Sequence, residues 1–102
     1  MLEKLTIDTF ANRIGESFTI CPDESLRIPV TLSQVDDLTA RAGPAAIGLP
    51  RTPFSLLFHG PPETVLPQRI YRVEHDELGP IEIFLVPVGP DQRGMRYEAV
   101  FS

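Results

Sequence analysis

The sequence predicts a mainly β fold, α+β by a small margin, built as an antiparallel small barrel or compact sandwich of about six strands with one short N-terminal helix. Three observations predict it. Apolar and polar residues alternate at a period of two over much of the chain. Turn residues punctuate those runs. Eleven prolines among 102 residues are about twice the ordinary share of roughly 5%. The apolar fraction of 42% is that of a folded chain, so the prolines mark turns and stiff connections instead of disorder. Residues 1–102 are expected to form one domain.

The opening segment from Thr6 to Gly15 reads as a short helix. Asp8 or Thr9 can cap it, Phe10 and Ile14 share a face, and Gly15 ends it. Two turns are too few to be stable alone, so that face must dock on something larger. From Glu16 the period becomes two, with Phe18 and Ile20 alternating against Ser17 and Thr19, and Cys21–Ser25 makes a turn. Leu26, Ile28, Val30 and Leu32 then line one side of a strand that continues to about Leu38. Pro29 cannot donate to a ladder, which places this strand at an edge, at least locally.

Residues 39–53 break every period and hold three prolines and two glycines, the pattern of a functional or mobile loop. Phe54–Gly60 is apolar on nearly both faces and reads as a central strand. A proline-rich extended connection follows to Gln68. Ile70–His75 and Ile81–Val88 then form a hairpin through Glu77-Leu78-Gly79, a three-residue loop that pairs Asp76 with Pro80. That closure sets Val73 against Ile83, Tyr71 against Leu85 and Glu74 against Glu82. Gly89–Gly94 turns the chain into Met95–Phe101, whose Tyr97, Ala99 and Phe101 continue the face of Leu85, Ile83 and Ile81.

Most chemistries lack their parts. The net charge of −5 argues against nucleic acid, although Arg41, Arg51, Arg69 and Arg72 make the middle of the chain locally basic. One cysteine makes no intramolecular disulfide, and Cys21, His59 and His75 are too scattered for a metal cage. The His75-Asp76-Glu77 triplet sits on a hairpin shoulder, where charged residues are ordinary. No G-x-S-x-G elbow surrounds a serine, and Ser55 lies inside a strand. Cys21 as a nucleophile would need His59 or His75 beside it. Glu74 opposite Glu82 could share a proton as an acid–base pair, but on an open sheet face the pair is solvated. No phosphate-cradling glycine motif occurs, so no cofactor is expected. The charged start, Met1–Leu5, and the absence of a long apolar run point to a cytoplasmic protein with no membrane contact.

Pro53-Phe54-Ser55-Leu56-Leu57-Phe58, Gly60-Pro61, Leu66-Pro67-Gln68, Leu78-Gly79, Phe84-Leu85-Val86-Pro87-Val88-Gly89-Pro90-Asp91 and Tyr97-Glu98-Ala99-Val100-Phe101 resemble a family of small, functionally uncharacterised bacterial β-rich proteins. With Leu5, Thr6 and Phe10, the likeness covers nearly the whole chain. It implies a small β-domain, carries over no catalytic, cofactor-binding or metal-binding residues, and associates the chain with phage-tail-like proteins.

Two functions from different classes follow. The first is a non-enzymatic module that binds a protein partner or assembles with itself, using an exposed strand edge or the long stiff loop. The second is a small enzyme or ligand carrier whose pocket lies inside the barrel, lined by Tyr71, His75, Tyr97 or Glu98. No small-molecule ligand is indicated by the sequence itself.

Overall fold

The computed structural model describes residues 5–39 and 52–101. Strands β1 (Ser17–Cys21), β2 (Ile28–Asp37), β3 (Phe54–Gly60), β4 (Arg69–His75), β5 (Gly79–Asp91) and β6 (Gly94–Phe101) follow helix α1 (Ile7–Ala11). The order β1-β2-β3-β6-β5-β4 closes on itself into a barrel, every neighbouring pair antiparallel. Between the two architectures open to the sequence, closure decides for the barrel. Most of the expected loop, residues 40–51, lies outside the described residues. Among the described residues no helix is long and apolar enough to cross a membrane.

Alternation along each strand puts every second side chain inside. Phe18 and Ile20 of β1, Ile28, Val30 and Leu32 of β2, and Tyr71 and Val73 of β4 are buried. Ile81, Ile83 and Leu85 of β5 and Tyr97, Ala99 and Phe101 of β6 join them, the shared face expected for the C-terminal strands. A barrel of this size has no room for a channel, and its side chains fill it. The central position expected for β3 is also found, between β2 and β6.

Helix α1 supplies the plug. Its rings show why so short a helix persists: Phe10 is fully buried, with ring centroids 6.5, 5.9 and 6.0 Å from Phe18, Phe54 and Phe101. Phe54 and Phe101, paired across β3 and β6, stack at 4.7 Å. The cap is Thr6, not Asp8 or Thr9, and the Thr6 N–H donates to Thr9 Oγ1 at 3.1 Å. Ile14 is exposed, because the helix stops at Ala11 and the four-residue spacing from Phe10 no longer describes one face.

The opposite end is held by two tyrosines. The Tyr97 hydroxyl donates to Thr64 O at 3.0 Å and accepts from the Leu66 N–H at 3.1 Å, while the Tyr71 hydroxyl donates to Pro67 O at 2.5 Å. Residues 64–67 are thereby drawn down, and Leu66 is buried.

Four expected details are corrected or refined. The first is the start of β2, at Ile28, which leaves Leu26 exposed. The Asp23 carboxylate accepts from the N–H groups of Ser25 and Leu26 at 2.8 and 2.9 Å and holds those residues in the turn. The second is Pro29. Strand β2 as a whole is not an edge strand, since β1 and β3 flank it; the local edge expected at Pro29 is found, because pairing with β3 begins at Thr31 and only β1 lies alongside.

The third is the β4–β5 register. His75 pairs with Gly79, Val73 with Ile81, Tyr71 with Ile83, Arg72 with Glu82 and Glu74 with Pro80. The loop is Asp76–Leu78, one residue earlier than expected, because His75 Nδ1 accepts the N–H groups of Glu77 and Leu78 at 3.1 and 3.2 Å. An even shift preserves the buried face, but Glu74 and Glu82 do not meet. The fourth is the last turn, which is only Gln92-Arg93; Gly89 and Pro90 belong to β5 and pair with Arg96 and Met95.

Each strand bulge reverses the inside–outside alternation. In β2 the bulge falls between Leu32, opposite Phe58, and Gln34, opposite Leu57, so Ser33 is the extra residue. Val35, outward by simple alternation, consequently faces the core. In β5 the bulge falls between Pro87 and Gly89, with Val88 extra.

Truncating the plug, Phe10→Ala, should cost about 3–5 kcal/mol in urea unfolding, the range for a buried phenylalanine; a loss below about 1 kcal/mol would mean that the barrel closes without it. Gly94 has φ +132°, and a Cβ there would collide with the Gly60 carbonyl oxygen. Gly94→Ala should therefore destabilise by more than about 2 kcal/mol, and an unchanged melting curve would contradict that packing.

Candidate functional site

The polar chemistry gathers outside the barrel and at its ends. Three residues from three strands form a chain that sequence spacing did not reveal: Ser33 Oγ lies 2.7 Å from His59 Nδ1, and His59 Nε2 lies 2.8 Å from Asp91 Oδ2. Both bulges build it. Ser33 is the extra residue of one, and the other turns Asp91 to the outer side, where His59 sits beside Arg96 in the ladder. His59 is only 8% exposed.

Proton accounting defines what the chain does. The Ser33 hydroxyl lies 3.0 Å from Leu57 O and 2.7 Å from His59 Nδ1, within hydrogen-bond distance of both. Asp91 is ionised, its carboxyl held below the ordinary carboxylate range first by the hydrogen bond from His59 and then by the Arg93 N–H. Nε2 therefore donates to that carboxylate. The residue types are those of a hydrolytic triad, but the serine hydroxyl is shared with a main-chain carbonyl and the imidazole is buried in the barrel wall. The chain is a clasp that ties the β5–β6 hairpin to the β2 bulge.

His75 has the complementary pattern. Because Nδ1 accepts two backbone N–H groups, Nε2 carries the proton and donates to Glu16 Oε1 at 2.7 Å. Its ring packs 4.5 Å from Phe18. Arg13 bridges Glu16 and Glu77 at 3.3 and 2.8 Å, so this cluster fastens the region after the helix to the β4–β5 turn.

The remaining candidates do not converge. Cys21 is half-buried, its sulfur 3.4 Å from an Arg27 guanidinium nitrogen, and both nitrogens of each histidine are bonded elsewhere. Ser55 is buried opposite Asp36 and Val100. Glu74 is neutralised by Arg27 at 2.6 Å and Arg72 at 2.9 Å. Of the residues expected to line an internal pocket, Tyr71 and Tyr97 spend their hydroxyls on residues 64–67. His75 caps a turn, and Glu98 is half-buried beside the outward-facing Leu57 and Val86. Among the described residues no three metal-ligating side chains come together. Arg41 and Arg51 of the basic stretch lie outside the described residues.

The outer wall of β4, β5 and β6 carries a different kind of feature. Ile70 and Phe84 are cross-strand partners, and Val86↔Glu98 sets the next register, which places Val100 beside Phe84 one pleat along. Ile70 is 60% exposed, Phe84 48% and Val100 59%. Three large apolar side chains thus form one row across three adjacent strands, with half-buried Val86 next to it. Periodicity showed that these positions face out, but only the register shows that they adjoin.

A small antiparallel barrel, filled within and carrying an apolar row on its wall, is the class that fold and face define. The chain belongs to the DUF6916 family, a domain of unknown function, whose model matches residues 5–101. No curated protein and no solved structure matches the chain.

The clasp makes a pH prediction. With its folded-state affinity for protons lowered, Asp91 contributes stability that is full above the ordinary carboxylate range and disappears as pH falls through its folded value. Asp91→Asn should be less stable than the wild type at neutral pH, and the gap in urea midpoints should close on acidification. A gap that stays constant with pH would show that the carboxylate charge has no part in the clasp.

Proposed function

We propose that this protein is a protein-binding or assembly module that acts in the bacterial cytoplasm and docks through the outer face of β4–β6. The observation that carries the reading is the contiguous row of Ile70, Phe84 and Val100. Isolated exposed apolar residues need no explanation, but a contiguous cluster on a sheet wall is a feature of interaction surfaces. Full burial of such side chains is worth about 1.5–3 kcal/mol each, enough for three of them to anchor an interface of modest affinity. Docking by addition to a strand edge, expected from the sequence, has no long free edge to use among the described residues, because β1 and β4 pair and close the sheet. The face of the wall takes over that role.

Site-specific photo-crosslinking in the native cell tests the proposal. Benzoylphenylalanine replacing Phe84 should give a covalent adduct with a second polypeptide, whereas the same group replacing Glu24, exposed in the β1–β2 turn, should not. Phe84→Glu, with an unchanged melting curve, should abolish the corresponding complex. Failure to form an adduct at position 84, or full retention of the complex by Phe84→Glu, would sink this assignment.

A further inference from the structure

We infer that the occupant of this face is a different protein, one that presents an apolar centre rimmed by Lys or Arg; this rests on the docking role proposed for the face. Charge complementarity identifies that occupant. Glu82 lies two residues from Phe84 on β5, and Glu98 lies two residues from Val100 on β6. The two carboxylates therefore flank the apolar row on opposite sides, one pleat above and one below. Among the described residues neither has an ion-pair or hydrogen-bond partner.

The arginines of the same wall are already committed. Arg72, the cross-strand neighbour of Glu82, turns its guanidinium to Glu74 at 2.9 Å. Arg69 donates to Pro22 O at 2.9 Å and lies 4.6 Å over the Tyr71 ring. Arg96 donates to Gly89 O and Val88 O at 3.1 and 3.0 Å. The face thus offers apolar surface and two unanswered negative charges.

A partner that covers the row desolvates Glu82 and Glu98, and a buried carboxylate without a counter-charge is costly. The partner must therefore bring cations at those two positions. A second copy of this wall cannot do so: it presents the same two carboxylates, its arginines are engaged, and like charges would meet across the contact. The net charge of −5 adds attraction toward a basic partner at long range.

The experiment combines the crosslinker at position 84 with charge changes beside it. With Glu82→Lys and Glu98→Lys introduced together, the adduct yield in the native cell should fall by about tenfold or more, as expected when two favourable contacts become repulsive. Glu82→Gln with Glu98→Gln should lower it less, and Glu63→Lys, on the connection between β3 and β4, should leave it unchanged. The partner peptide joined to position 84 should carry Lys or Arg beside apolar residues. An adduct whose yield ignores the reversal, or rises, keeps the docking face but overturns the basic partner. An adduct made of two copies of this chain also overturns it in favour of self-assembly. No adduct at all removes the docking face itself. Melting curves that overlay the wild type separate each of these results from misfolding.

Discussion

Pairing between β1 and β4 is the contact on which the rest of the molecule depends. It sets Thr19 against Glu74, Ile20 against Val73 and Cys21 against Arg72, residues half the chain or more apart. Without that seam the six strands would be an open sheet with two free edges and one wide apolar face. With it the face becomes an interior, and the two ends need stoppers. Phe10 serves at one end through three ring contacts, and the Tyr71 and Tyr97 hydroxyls hold Leu66 over the other. The short helix and the proline-rich connection are therefore parts of the core, although neither belongs to the sheet.

The same closed sheet explains where the polar side chains stand. Simple alternation in a small barrel would leave polar residues dispersed on the outer wall. Two bulges change that by reversing alternation locally, bringing Ser33 and Asp91 to opposite sides of His59. His59 bridges Ser33 and the Asp91 carboxylate, whereas His75 accepts two main-chain N–H groups at Nδ1 and donates to Glu16 from Nε2. In both cases the imidazole ties a hairpin to a distant part of the fold. The geometry makes them fasteners of the scaffold that presents the β4–β6 wall.

That wall combines an apolar row with two carboxylates that have no counter-charge among the described residues. Elsewhere, Glu74, Glu16 and Glu77 answer Arg27, Arg72 and Arg13. Beside Phe84 and Val100 the carboxylates have no such answer. An apolar row and unmatched charge on one face both lower the cost of covering it with a partner that matches them. A rigid barrel suits such a role, because a face held by closed pairing loses little conformational freedom on docking.

Much of the architecture was legible in the chain itself. Alternation at Phe18–Ile20, Ile28–Leu32 and Tyr71–Val73, with Phe54–Phe58 apolar on nearly both faces, specified which residues are buried and which strand is central. The local chemistry of side chains determines these properties. The loop position in the β4–β5 hairpin was not legible, because it turns on His75 Nδ1 accepting two N–H groups. Nor were the bulges at Ser33 and Val88, since a bulge is a mismatch between two strands and has no signature within one. The sequence by itself thus determined a turn-rich antiparallel β-domain and its buried face. Only the tertiary structure decided closure, the Ser33–His59–Asp91 clasp and the row of Ile70, Phe84 and Val100. All three depend on inter-strand register, which is set by contacts between residues distant in sequence and by the even or odd count of residues between them.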